Sequence, residues 1–466
     1  MTEKASDSAE SFFDRLASKA ERYDNGAAIR KEVPRSSHQE WTEPEDREDP
    51  VAILIKTSIG RLESLLPIRY RRMIESPFAF YRGAAAIMAA DLANTPNTGI
   101  QLQLCGDCHL MNFGGFATPE RKLVFDINDF DETFPGPWEW DIKRLATSFA
   151  IAGKWRKFSA KECKEFAWHV ADSYKRHMLD YSKLSALQIW YADIDLAELI
   201  DLGKDEELKE FQQKRIKKAA ESIAHEKEFA KMTYLDGVRA RIKDDPPLIY
   251  HPSGNEASYT LREAKQVHKR YIESLPEDKQ VLLSRYTMHD FAVKVVGVGS
   301  VGTLCGISLL MSATGEPIFL QFKEARKSVL ESNVKNRGKY PHQGERIVMG
   351  QKLMQSAPDM FLGWTNDDKG KYFYIRQLRD AKIKPVIEIM KAENMTDYAK
   401  ACGWALARAH ARSGDPSLLS GYIGNNNEFA NAISKFSMLY AHQNELDYNK
   451  MVEAVKEGRL PISTEV

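Results

Sequence analysis

The chain reads as a mixed α+β fold in two parts, a large helical lobe and a small lobe built on an antiparallel sheet. Three observations carry this. Apolar residues recur at helical spacing from Val51 to Leu92, with Ile53, Leu62, Leu65 and Leu66, and helical text returns through 141–235. Between Phe291 and Ala325 strand formers take over, among them Val293, Val295, Val296, Ile307, Leu309, Ile318, Leu320 and Phe322. Helices then fill most of Asp397 to Gly458.

Taken in order, residues 1–50 are polar and end in the turn-rich run Thr42–Pro50. They predict a mobile N-terminal arm with one short helix around Ala9–Tyr23. Residues 51–285 form the helical large lobe, in which two short strands, Ile100–Leu104 and Leu123–Ile127, bracket a loop of unusual chemistry. Phe166, Val170, Tyr174 and Met178 fall on one helical face that should meet a core. Residues 286–380 are the small β-rich lobe, with a helix from about Gly344 and a strand pair within Phe361–Leu378. Residues 381–466 supply C-terminal helices that complete the large lobe.

The composition bounds the function. Among 466 residues, 66 Lys and Arg balance 66 Asp and Glu, which argues against a broad basic surface for nucleic acid. An apolar share of 43% is enough for a folded core. No run suits a membrane span or a signal peptide, so no membrane partner and a cytoplasmic location are expected. Five sparse cysteines imply no disulfide framework. Cys105 and Cys108, with two residues between them, read as a coincidental spacing, a redox pair or half a zinc site being the sharper readings. Arg82 and the group Arg69, Arg71 and Arg72 read as ion pairs of a helical subdomain, with anion binding as the alternative. The sequence carries no signature of an oligomeric state.

The bracketed loop is Gly106-Asp107-Cys108-His109-Leu110-Met111-Asn112. A carboxylate and an amide this close can set a proton acceptor, Asp107, beside a metal-binding oxygen, Asn112. Asp129, in Asp126-Ile127-Asn128-Asp129-Phe130-Asp131, can share a Mg²⁺ ion with Asn112, because hard cations select oxygen ligands. Asp126 and Asp131 are further possible ligands or simple turn caps, and His109 orders the loop. The plain alternative for the whole loop is a polar turn capping its own backbone. Phosphoryl transfer needs this equipment: a group to orient the hydroxyl and a cation to neutralise phosphate charge.

A second motif is Val295-Val296-Gly297-Val298-Gly299-Ser300-Val301-Gly302. Dinucleotide-binding units and kinase-type lobes both use such a loop near phosphates. Here the β-prone run Leu304–Met311, a turn and a second strand ending in Lys323 follow, leaving no room for a helix after the third glycine. Gly297, Gly299, Ser300 and Gly302 would then cover phosphates, Lys323 would grip them, and Glu345, preferred over Glu331, would hold Lys323.

Asp-x-His-x-x-Asn followed by a strand-borne Asp resembles the catalytic and metal loops of the aminoglycoside-phosphotransferase branch of the protein-kinase-like fold. Gly136 and Asp141 match that branch's next Gly and Asp, the latter tying a helix start to the catalytic loop; Cys105 departs from the His often found there. The resemblance implies a bilobal protein-kinase-like fold with ATP and Mg²⁺ as cofactors. The order is reversed, since the glycine loop follows the catalytic loop. The helix around Trp404–His410 resembles the one that normally leads straight into Gly-Asp-x-His. That order implies circular permutation. Along nearly its whole length the chain is also similar to a bacterial family known only as a domain of unknown function. The phrases Val33–Ser36, Ser76–Gly83, Gly106–Gly114, Asn128–Asp141, Gly403–Asp415 and Gly421–Gly424 carry this similarity. The expected activity is an ATP- and Mg²⁺-dependent phosphotransferase acting on a hydroxyl of a small molecule or protein. A non-catalytic nucleotide-binding regulator, a nucleotidyl transferase and an NAD-dependent oxidoreductase are the alternatives.

Overall fold

The computed structural model describes residues 17–463, apart from 204, 222–224, 238, 252–259, 296, 335–339 and 379–381. The architecture is mixed α+β with antiparallel sheets, as expected. Strands β1 (Gln101–Leu104) and β4 (Phe134–Pro137) pair antiparallel, and β2 (Phe113–Ala117) and β3 (Leu123–Ile127) form a hairpin. A small hairpin joins β5 (Thr233–Asp236) to β6 (Arg239–Ile242). The main sheet has six strands: β7 (Ile249–Tyr250), β8 (Tyr286–Lys294), β9 (Cys305–Ser312), β10 (Pro317–Glu324), β11 (Gly363–Asn366) and β12 (Tyr372–Gln377). Their spatial order is β11-β12-β10-β9-β8-β7, with the helix Gln343–Met354 inserted between β10 and β11 in the chain.

The described residues form two large apolar cores. The first runs through the helices Glu139–Trp155, Ala160–Lys183 and Ala392–Ser413 and the strands β1–β4, and also takes in Ile347, Val348 and Tyr374; the second lies on one face of the main sheet, around Phe291, Leu310, Leu320, Phe322 and Ile375. The helix Ala160–Lys183 starts at a Ser159–Glu162 capping box, and its face Phe166, Val170, Tyr174 and Met178 is fully buried, as its spacing predicts. Glu139 and Asp141 occupy the first turn of the helix Glu139–Trp155, where the helix dipole favours negative charge.

The sequence did not announce β2 and β4. Gly114 and Gly115 lower the strand propensity of β2, yet only glycine fits: a Cβ on Gly114 would lie 2.7 Å from the Ile383 carbonyl oxygen. β4 holds two prolines, a composition that argues against a strand except at an edge.

The N-terminal segment is a correction. Its described part is docked, because its charged residues have specific partners on the body. Arg47 pairs with Asp91 at 2.7 Å and Asp447 at 2.6 Å, all three buried. The helix Lys19–Ile29 crosses the helix Pro416–Ile423 at Gly26 and Gly421, where a Cβ on either would run into the facing backbone. Residues 9–16 of the expected first helix, and Val296 of the glycine motif, lie outside the described residues.

The chain also brings distant points together. Gly414, just past the helix Ala392–Ser413, lies against Leu102 of β1, a Cβ there meeting Leu102 at 3.0 Å. Ser413 Oγ donates to the Gln103 carbonyl at 3.3 Å. The end of that helix therefore abuts the strand that enters the Gly106–Asn112 loop.

Candidate functional site

The Gly106–Asn112 loop is fixed from behind. Asp141 accepts hydrogen bonds from the backbone N–H groups of Cys105 at 2.8 Å and Gly106 at 3.1 Å, and His410 Nε2 lies 3.3 Å from it. This is the tie between helix start and loop expected of Asp141. Gly106 has φ 86°, and a Cβ there would strike the Glu132 carbonyl, so the turn needs glycine.

Asp107 faces a cleft with its side chain 22% exposed. Arg144 Nε donates to its Oδ1 at 2.8 Å, while Oδ2 lies 3.7 Å from His109 Nε2. Burial raises the Asp107 pKa above the usual carboxylate value, against the pull of Arg144 and Arg82. His109 is buried and held neutral, well below its ordinary pKa, by burial and by the nearby Arg82 and Arg144 charges. It adds no charge, and its Nδ1 is buried without a hydrogen-bond partner.

Asn112 Nδ2 donates to the Asp107 carbonyl at 2.8 Å, which commits its nitrogen and leaves its amide oxygen for another partner. Asp129 has a side chain 36% exposed and lines the same cleft as Asn112. Burial and the neighbouring Asp131 charge raise its pKa. These two oxygen donors suit a hard cation such as Mg²⁺.

Asp126 is not at the site. Its side chain and that of Arg408 are both 0% exposed and paired at 2.7 Å, and its Oδ2 accepts from Ser356. The reading of Asp126 as a metal ligand is thereby replaced by a structural ion pair.

Above the loop, the glycine motif forms the turn between β8 and β9, with Gly297 and Gly302 at φ 73° and 88°. The third glycine leads into a strand, so the strand–turn–helix layout of a dinucleotide unit is absent here. Arg61 Nη1 donates to the carbonyls of Gly299 at 2.8 Å and Val301 at 2.7 Å, and Arg72 Nη1 to that of Gly297 at 2.5 Å. Arg72 is therefore a clamp on this loop rather than a member of an ion pair.

Lys323, at the end of β10, corrects an expectation. Its Nζ lies 2.7 Å from Asp131 Oδ2 and 3.9 Å from Asp129, and neither Glu345 nor Glu331 reaches ion-pair distance. Glu345 sits half-buried in the first turn of the helix Gln343–Met354, where its N–H donates to His342 Nδ1. The helix turns Arg346 inward instead, to the carbonyls of Asp131 and Arg326. Asp131 becomes a hub: Tyr374 Oη at 2.6 Å and Ser300 Oγ at 3.2 Å also donate to it. Burial works against both charges, but Lys323 brings Asp131 down to about 2, and the two aspartates hold Lys323 well above its ordinary pKa.

Two clefts meet at these residues. One of about 310 Å³ is lined by Asn112, Asp129, Gly297, Ser300, Lys323 and Arg376. One of about 780 Å³ borders Arg61, Arg69, Arg326, Asp131 and Glu132. Asp107, Asp129, Arg82, Gly299 and Ser300 line both. Sequence reasoning missed Arg144 and Arg61, and gave Asp131 only as a further metal ligand or turn cap, where the structure makes it the partner of Lys323. For Asp131 a signal existed: it stands two residues from Asp129 in the same acidic run, whose turn ties the Asp131 N–H to Asp129 Oδ1.

Cys105, Cys108 and Asp141 are the one group of potential metal ligands within 4.8 Å of one another among the described residues. Asp141 already holds two backbone amides, and burial raises both thiols, Cys108 to about 11, so they stay protonated. All five cysteines are buried. Titration of the native chain with a thiol reagent is expected to find essentially no reactive thiol, and reductant is expected to leave the melting temperature unchanged. Rapid modification of Cys105 or Cys108 would contradict this.

Fold and site define a mixed α+β protein with antiparallel sheets and a charged cleft beside a glycine turn. The family model for an uncharacterized protein conserved in bacteria (DUF2252) matches residues 61–454, and the chain belongs to that family. No curated protein and no solved structure matches it. No helix among the described residues is long and apolar enough to cross a membrane.

Proposed function

We propose that this protein is an ATP- and Mg²⁺-dependent phosphotransferase on a circularly permuted protein-kinase-like fold. The observation that carries the reading is convergence. Asp107, Asn112 and Asp129 come from one lobe, Gly297–Ser300 and Lys323 from the other, and all line a single cleft of about 310 Å³. The order strand, glycine turn, strand, lysine strand, helix, strand pair also follows the small lobe that the motifs resemble. The contact of Gly414 with Leu102 supports permutation, since it joins the two places where an unpermuted chain would be continuous.

In this mechanism ATP lies in the smaller cleft with its phosphates under Gly297–Ser300 and beside Lys323. Asn112 and Asp129 would hold Mg²⁺, which supplies neutralisation of the phosphate charge. The acceptor hydroxyl sits at Asp107. Its oxygen bonds to the γ-phosphorus as the bond to the ADP oxygen breaks, and its proton passes to Asp107 Oδ2. Arg144 holds Oδ1 and so aims the other oxygen at the cleft. The raised pKa of Asp107 makes its carboxylate a better proton acceptor.

A pH dependence follows. Transfer requires the carboxylate, so the rate falls as pH drops through the Asp107 pKa, above the usual carboxylate value. Arg144→Gln removes a charge that lowers this pKa, so the acid limb is expected to move to higher pH. A limb that stays in place or moves down would remove Asp107 as the base.

The lysine–aspartate pair favours one second reading. With Lys323 held by Asp131 and not by a helix glutamate, a nucleotide-binding regulator without turnover is also supported. Thermal-shift titrations test both. ATP with Mg²⁺ is expected to stabilise the wild type, and Lys323→Met to lose that effect. Stabilisation by NAD alone would sink the nucleotide-triphosphate reading; ATP binding without any turnover would favour the regulator.

A further inference from the structure

We propose that the acceptor molecule carries, beside its hydroxyl, an anionic group, phosphate or carboxylate, which seats against Arg61, Arg69, Arg82 and Arg326 in the larger cleft. This rests on the phosphotransferase reading for its chemistry, but the arginine site stands on its own geometry.

The cleft of about 780 Å³ has the size of a small-molecule pocket, and Arg61, Arg69 and Arg326 line it without lining the nucleotide cleft. None of the four arginines has a carboxylate oxygen within 4.0 Å among the described residues. Arg69 is 1% exposed, and its bonds go to neutral hydroxyls, Ser58 Oγ at 2.9 Å and Thr57 Oγ1 at 3.4 Å, with Nε left unpaired. Arg326 Nη1 donates to the Thr57 carbonyl at 3.2 Å, and its Nη2 to that of Ile59. Arg82 Nε is buried without a partner. The expectation that Arg69 and Arg82 serve ion pairs of a helical subdomain is thus replaced.

Like charges are crowded here. Burial, with repulsion among Arg61, Arg69 and Arg326, brings Arg61 down to about 9, and burial brings Arg69 to about 10. A buried guanidinium such as Arg69 is costly, and an anion relieves that cost with directed, charge-assisted bonds; Glu132 and Glu324 offset part of it at Arg61, and Asp107 part of it at Arg82.

Three of the acids lining the same cleft have partners of their own, whereas Glu331 Oε2 is buried without one. Asp131 holds Lys323, Glu132 Oε2 accepts from the Val329 N–H at 2.8 Å, and Glu324 Oε2 from that of Leu304 at 2.9 Å. Arg82 adjoins Asp107 in both clefts, so an anion seated here leaves its hydroxyl next to the base.

The test titrates the full chain, without nucleotide, with inorganic phosphate, glycerol 3-phosphate and glycerate. Saturable binding of at least one is expected, weakened roughly tenfold or more in Arg69→Gln and in Arg326→Gln and recovered in Arg326→Lys. The stronger of the phosphate and carboxylate arms identifies the group. No saturable binding of any of the three, or equal affinity in wild type and both Gln variants, overturns the proposal. Parallel ATP titrations separate the two readings. Lys323→Met is expected to lose ATP and keep phosphate, whereas a wild type that binds phosphate but no ATP removes the nucleotide reading and leaves the anion site standing.

Discussion

Asp107→Asn is expected to lower phosphoryl transfer by about 10²–10⁴-fold, the usual worth of a positioned general base, while ATP binding persists. Asparagine keeps the shape and can still meet Arg144, so the loop remains held by Asp141 and Arg144. What it loses is the oxygen that takes the proton. The proposed base and the proposed nucleotide grip stand on different elements, Asp107 before β2 and Lys323 at the end of β10, so the two functions should separate. Rates from ATP turnover and affinities from calorimetry on the same variant check this; wild-type turnover in Asp107→Asn would end the assignment.

The second large effect concerns stability. Arg408→Met is expected to cost about 3–5 kcal/mol, because it strands the fully buried Asp126 carboxylate. Arg408 Nη2 also donates to the Met354 carbonyl at 2.7 Å, joining the helix Ala392–Ser413 to the end of the helix Gln343–Met354. Replacing both partners, Arg408→Met with Asp126→Leu, removes the unpaired charge and should recover much of the loss. Denaturant unfolding of the two variants measures both numbers. A loss below about 1 kcal/mol for the single change would show that Asp126 finds another partner.

These predictions rest on residues of unequal legibility. Asp107, Asn112 and Asp129 could be read because their chemistry is local: one short loop and one strand end carry them. Lys323 could be read because β8, β9 and β10 alternate or run apolar with clear turns between them. Its partner could not. Asp131 lies 192 residues away and meets Lys323 only in the folded chain, whereas Glu345 lay at a plausible sequence distance and faced elsewhere. The N-terminal segment was misjudged for the same reason. Its charges look solvated in sequence, but Arg47 finds Asp447 at 400 residues' separation. Gly114 and Gly115 hid a strand, because what requires glycine there is the approach of residue 383 from another part of the chain. Long-range contacts, not local propensity, account for each miss.

The central claim is that one cleft joins a nucleotide's phosphates to Asp107. A structure with a non-hydrolysable ATP analogue and Mg²⁺ tests it most directly. The account predicts the γ-phosphate facing Asp107, the metal between Asn112 and Asp129, and the phosphates under Gly297–Ser300 beside Lys323. A nucleotide bound elsewhere, or one whose phosphates point away from Asp107, would contradict it.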